Sequence, residues 1–368
     1  MVIAPLNDVW TAAAGIDHTV AATPTQRRKL VSRRVKPRPF DRQHLFRSMA
    51  ARSPVLFSGI RLPTKGGKRD TRQIDILIET GLPKTMRIRT RCGPSATRGY
   101  LSPQELIARW RSPRARVSVT DLHIRDTRFF NWLDCEPISD FNLLARSAED
   151  INYQEMLTLV VSSTGTFSDS HSDDPDGSNH CFVGRKLWLV WDTFEGLAHG
   201  LEDVERCEVN DQARFSMAAF LRLRSGRWFT VEPGQTLFLP GHLTHKVITL
   251  ERYIGVGSFF VTIANYAWTL ARWTRHTPLW ALNLPATRRL ALVDSITALV
   301  VKRAKSLERA SFTERARWGF DVFASSNRAH LTAEVRQLLA SNPRSAQFIE
   351  YCDTLAGKPS RAGSPSQH

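Results

Sequence analysis

Between Met156 and Val261 the chain falls into short runs rich in β-branched and aromatic residues. They are Met156–Ser162, Thr166–Asp173, Phe182–Trp191, Arg227–Val231, Gln235–Leu239, His245–Leu250 and Tyr253–Val261, with Gly, Pro, Asp and Asn between them. Strands this short at this spacing pack as a barrel or a sandwich, which limits the fold more than any other feature of the sequence. There is no βαβ alternation and no glycine loop suited to cradling phosphates. The uncharged stretch Tyr253–Ala271, bracketed by Arg252 and Arg272, approaches the length of a membrane span. Its Gly255, Gly257, Ser258, Thr262, Asn265 and Thr269 instead fit a buried strand running into a helix, so no membrane association is expected.

The regions on either side read differently. Asp41–Ala51 suits a short helix and Pro54–Ser58 a strand, and Lys84–Thr90 alternates with the period of a half-buried strand. Ser102-Pro103-Gln104-Glu105 is a helix start: a serine cap, proline in the first turn, and a glutamate three residues after the cap. Val117–Ile124 is a further strand. Beyond Pro285, Leu292, Val293, Ile296, Leu299 and Val300 recur at helical spacing, and Thr313–Phe323, Leu331–Ala340 and Ala346–Leu355 are amphipathic. The sequence thus predicts a mainly β core with flanking α-helices and an α-helical C-terminal region. The expected divisions are a basic, disordered arm over 1–38, a β-rich domain over 39–275, a helical region over 276–356 and a loose tail over 357–368.

With 368 residues and 42% hydrophobic content the chain can bury a sizeable core. Its net charge of +16 sits mainly in the flanks, +5 in residues 1–38 and +6 in residues 286–368. Basic flanks of this kind suit a nucleic-acid or chromatin partner, yet they say little about chemistry in the centre. The five cysteines form no CxxC pair, and Met1–Trp10 has no basic-then-apolar signal pattern. A cytoplasmic or nuclear protein, rather than a secreted one, is expected.

The chemistry concentrates at His171, Asp173, Lys186 and His245. His171 and Asp173 lie two apart, so on a strand they share a face. Two imidazoles and one carboxylate on one side of a metal, with the other side open, is the ligand set of the non-haem Fe(II) oxygenases. Folding Asp174–Asn179 as the loop of a hairpin centred near Ser178 places Lys186 opposite His171. A lysine in a barrel wall is costly unless it meets an anion, and a chelating dicarboxylate would supply one. His245 then opens a strand after the turn Gly241–Thr244. His242, a rival for the same role, reads as a polar turn residue. Asp169, Asp174 and Asp176 read as a solvated loop, Trp188 and Trp191 as core, and no second metal is expected at His180 and Cys181.

These residues resemble a known family. Gly165-Thr-Phe-Ser-Asp-Ser-His171-Ser-Asp173, Gly184-Arg-Lys186-Leu-Trp188 and Gly234-x5-Pro240-x4-His245 are similar, in order and separation, to the motifs of the JmjC (jumonji-type cupin) oxygenases. Pro54–Gly59 and Tyr100–Leu106 resemble that family's N-terminal strand and helix, so the similarity covers roughly residues 40–270. It implies a double-stranded β-helix (cupin, jelly-roll) fold using Fe(II), 2-oxoglutarate and O₂. By the resemblance, His171, Asp173 and His245 would ligate iron and Lys186 would bind the distal carboxylate of 2-oxoglutarate. Ser168 would assist Lys186, a part that Thr166 or Thr158 could also take. The family often carries bulky aromatics just before the distal histidine, where Leu243-Thr244 stand here.

The implied reaction is hydroxylation of an unactivated C–H, on a protein side chain or a small metabolite, with release of succinate and CO₂. Lysine demethylation on a chromatin or other basic substrate is the alternative within the class. It is disfavoured by the lack of a chromatin-reading finger and by Asp, not Glu, as the carboxylate. An inactive cupin serving as a binding or scaffold module is the alternative outside it, and by the resemblance the C-terminal helices could mediate a homodimer.

Overall fold

The computed structural model describes residues 23–67, 69–92, 97–124, 126–143, 156–173, 176–201, 215–273, 286–330, 337, 339 and 345–357. The chain divides into two compact units, one of residues 1–40, 52–140 and 155–260 and the other of residues 41–51, 141–154 and 261–368.

The first unit is β-rich, with flanking helices. Its strands are β1 (Arg38–Pro39), β2 (Val55–Ser58), β3 (Ile88–Cys92), β4 (Thr97–Leu101), β5 (Ser118–His123), β6 (Met156–Ser162), β7 (Phe167–Ser172), β8 (Asp176–Asp192), β9 (Arg227–Val231), β10 (Gln235–Leu239) and β11 (Leu243–Phe260). They join in the order β1-β2-β10-β8-β11-β6-β5-β3-β4, with β7 also on β11 and β9 also on β8.

The two long strands organise everything else. β8 and β11 run antiparallel along nearly their whole lengths, and the register slips in the middle, around Gly184 and Glu251–Ile254. Gly184 has φ +82°, and a Cβ there would lie 1.9 Å from the Arg252 carbonyl oxygen, so the bend admits only glycine. On one side of this bend the pair is flanked by β10 and β6, on the other by β9 and β7. Two four-stranded sets therefore share two continuous strands. Alternation sorts their side chains. Trp188 and Val190 join Phe229, Val231, Leu237 and Val247 in one cluster, whereas Leu187, Leu189 and Trp191 join Phe220, Trp228 and Ile248 in another.

Several expectations need correction. The Asp174–Asn179 hairpin does not form, because β8 begins at Asp176 and pairs with β10 there (Asp174 lies outside the described residues). β7 pairs with β11, not with β8, so Lys186 stands opposite Thr249 and Val231 and not His171. The two runs expected at His245–Leu250 and Tyr253–Val261 are the single strand β11.

The expected disordered arm is ordered over its described part. Pro24–Ser32 is a helix in which Thr23 and Gln26 form a capping box and Pro24 occupies the first turn, where no N–H is needed. Leu30 is buried, Trp228 Nε1 donates to its carbonyl at 2.6 Å, and Val35 N–H donates to the Trp228 carbonyl at 2.8 Å. Pro24 opens the helix, Pro39 lies in β1 and Pro37 just precedes it, so these prolines do not prevent regular structure. The Ser102 helix start has the capping box expected of it, over Pro103–Arg111.

The second unit is helical. Its described helices include Arg42–Ala50, Tyr266–Trp273, Ala286–Leu307, Phe312–Trp318, Phe320–His330 and Ala346–Ala356. Tyr266, Leu270, Ile296, Val300, Phe323 and Phe348 lie in one buried cluster, in which Tyr266 Oη bonds Thr297 Oγ1 at 2.7 Å. Arg42–Ala50 joins this unit through Phe46, whose ring packs edge-on to Phe141 and leaves no room for a side chain at Gly319. The helix expected at Leu331–Ala340 lies almost wholly outside the described residues, as do residues 358–368 of the tail. Among the described residues, no helix is long and apolar enough to cross a membrane.

Candidate metal centre

His171 and His245 are direct cross-strand partners on β7 and β11. Residues opposite one another in an antiparallel pair project to the same face, and here the imidazole centroids are 4.3 Å apart. Asp173, one residue beyond the end of β7, brings its carboxylate between them. His171 Nε2 is 3.9 Å from Asp173 Oδ1, and His245 Nε2 is 3.5 Å from Asp173 Oδ2. One donor atom from each of the three lies within 4.8 Å of the others.

The imidazoles are aimed by their other nitrogens. His171 Nδ1 is 2.6 Å from the Asp169 carbonyl oxygen, and His245 Nδ1 is 3.1 Å from that of Leu243. A carbonyl only accepts, so Nδ1–H is the donor in each contact, which leaves each Nε2 as the nitrogen turned toward the centre. Two Nε2 lone pairs and a carboxylate at these separations fit one divalent cation, which such ligands hold at about 2.0–2.2 Å. The group His171, Asp173 and His245 could hold a metal ion. His245 is 2% exposed at its side chain, whereas His171 and Asp173 are 31% and 33% exposed, so the group is reached from solvent on the side of His171 and Asp173.

The three residues lie on a cavity of about 80 Å³, several times what one ordered water needs. Lys186, Ser168, Thr158, Trp188, Ser178 and Asn179 also line it. Lys186 is 4% exposed, and its ammonium lies 4.8 Å from the centroid of the Tyr253 ring. The Tyr253 hydroxyl bonds Asn179 Oδ1. Trp188 Nε1 and the Ser178 hydroxyl are buried with no hydrogen-bond partner among the described residues. With a lysine, hydroxyls and an indole N–H, this lining is suited to a ligand that accepts hydrogen bonds.

The structure thus brings His171, Asp173, His245, Lys186 and Ser168 to one cavity. Thr166 is not part of the lining: its hydroxyl donates to the Ser163 carbonyl at 2.7 Å and bonds Thr249 Oγ1 at 3.2 Å. His242 adopts φ +71° in the turn before β11, and its N–H donates to the Asp173 carbonyl at 3.0 Å, so it serves the site through its backbone. His180 pairs with Thr236 and burial lowers its pKa to about 4, while burial pushes the Cys181 thiol up to about 12. Asp169 and Asp176 are not solvated loop residues: Asp169 meets Lys246, and Asp176 is fully buried and accepts from Gly241 N–H at 2.8 Å.

Trp188 does more than fill core, since its ring lies 5.2 Å from that of His245. Its position two residues after Lys186 was the available signal. Asn179 and Ser178 had none, because the Gly184 bend interrupts the alternation between them and Lys186.

No protein-family model matches the chain, and no curated protein matches it.

Proposed function

We propose that the protein is an Fe(II)- and 2-oxoglutarate-dependent oxygenase that hydroxylates an unactivated C–H of a protein side chain or small metabolite. The observation that carries this reading is one cavity holding both the His171–Asp173–His245 group and a buried lysine. The double-stranded β-helix is part of the proposal. Its support is the pairing of two four-stranded sets, β7-β11-β8-β9 and β6-β11-β8-β10, that face this cavity.

When bound, iron and 2-oxoglutarate would supply the oxidising power for hydroxylation, with succinate and CO₂ as co-products. The chain's residues hold and shield that pair. Two neutral imidazoles and Asp173 suit a borderline divalent ion without closing its coordination. Lys186 would hold the distal carboxylate, since a buried ammonium is strongly stabilised by an anion. Ser168 and Thr158 offer hydroxyls to the same end. Trp188, Leu237, Leu239 and Val247 keep the inner wall dry, while substrate enters past the exposed edges of His171 and Asp173.

The test is an anaerobic titration of the purified protein with Fe(II) and 2-oxoglutarate, followed by admission of O₂ and a succinate assay. A visible charge-transfer band, lost in His171→Ala and weakened in Lys186→Ala, with succinate formed by the wild type, is expected. Well-folded protein that retains no metal and gives no band would overturn the reading in favour of a non-catalytic module.

A further inference from the structure

Ser168 and His171 both line the cavity although they are three residues apart. On a regular strand such residues face opposite sides. The register accounts for the difference. His245 pairs with His171 and Val247 with Ser168, so Lys246 alone spans both Asp169 and Ser170. This is a β-bulge, one extra residue on β7, of the kind that re-aims side chains beside functional sites.

Asp169, within the bulge, is held twice. Its carboxylate accepts from Lys246 Nζ at 2.9 Å, and its carbonyl faces His171 Nδ1 at 2.6 Å. The ion pair is buried, with Lys246 2% and Asp169 12% exposed at the side chain. The Lys246 ammonium also lies 4.9 Å from the Phe167 ring centroid and 5.8 Å from that of Phe215. A buried ion pair rarely adds net stability over apolar residues of the same size, and its best-attested use is to fix register. This one joins the residue after one imidazole to the residue two before the other.

We infer that Lys246 and Asp169 are positioning residues. Their ion pair clamps the β7 bulge, and the clamped bulge aims His171 Nε2 at the centre while turning Ser168 into the cavity. The inference rests on the metal reading given above. It adds that the geometry of the centre is set from the outer face of β7 and β11, by residues that touch neither metal nor cosubstrate.

Co(II) alone is the probe, with affinity and visible ligand-field spectrum measured beside the melting temperature of the metal-free protein. Lys246→Met leaves the Asp169 charge buried and is expected to lower both melting temperature and Co(II) affinity. The double variant Lys246→Met/Asp169→Asn removes both charges and should recover the melting temperature. Its Co(II) affinity is expected to stay 10- to 100-fold below wild type, the range for losing a ligand's supporting partner, with an altered spectrum. A merely structural pair would recover both together.

Wild-type affinity and spectrum in the folded double variant would overturn the clamp and leave the metal reading standing. Failure of the wild type to bind Co(II), or equal binding by His171→Ala, would overturn the metal reading and the clamp with it. Should the double variant not fold, Lys246→Leu/Asp169→Val, which likewise removes both charges and keeps the backbone carbonyl of residue 169, decides by the same comparison.

Discussion

His180 shows how burial alone sets a residue's behaviour. Its folded pKa is lowered to about 4 by desolvation, against about 6.5 in the unfolded chain. The unfolded state therefore binds the proton more readily. Stability is fully present above pH 6.5 and is lost as pH falls from there toward 4, by about 2–3 kcal/mol at pH 4.5. His180→Gln, which keeps a polar partner for Thr236 without a titrating ring, should flatten this acid limb. Urea unfolding at pH 7.5 and pH 4.5 measures it, and identical pH losses in the two proteins would refute the assignment. Cys181 is the companion case: a thiol pushed up to about 12 stays protonated and inert. Iodoacetamide at pH 8 should leave Cys181 unmodified in the native protein and alkylate it in urea, as peptide mass spectrometry would report.

Individual elements make sharper demands on the chain. The Pro24–Ser32 helix is anchored by Leu30, so Leu30→Ala should cost about 2–4 kcal/mol in urea unfolding; an arm that only dangles would lose nothing. Gly184 bends β8 at φ +82° against the Arg252 carbonyl, and Gly184→Ala should cost at least about 3 kcal/mol from backbone strain and overlap. A loss under 1 kcal/mol there would mean that the two long strands do not need the bend. Element type was readable wherever local chemistry decides it, as in the Ser102 capping box and the apolar, strand-forming runs of β6 and β10. Pairing was not. A turn-rich loop after β7 argues for a hairpin, but Asp176 is buried in β8, and β11, some 70 residues later, takes the edge of β7 instead. The basic composition of residues 24–38 likewise hid Leu30, which is buried and whose carbonyl accepts from Trp228 of β9.

Across the β-rich unit, the site residues were legible because each sits in a local motif: an alternating pair at His171 and Asp173, Lys186 in its strand, and His245 after its turn. What joins them was not, since the Lys246–Asp169 pair and the Asn179–Lys186 wall depend on a bulge and a bend that no periodicity marks. Nearly every pairing in this unit is between strands distant in sequence, and such topologies fold in milliseconds to seconds. Stopped-flow refolding followed by tryptophan fluorescence should show a phase in that range, and complete recovery within microseconds would contradict the topology.

One consequence of β11 concerns timing. It carries His245 in its first half and completes the second set of strands with its last residues, up to Phe260. A nascent chain on the ribosome therefore has His171 and Asp173 long before the third donor can join them. On the proposed metal reading, uptake would be a late step in the protein's biogenesis, because it requires β11 to be in place beside β7.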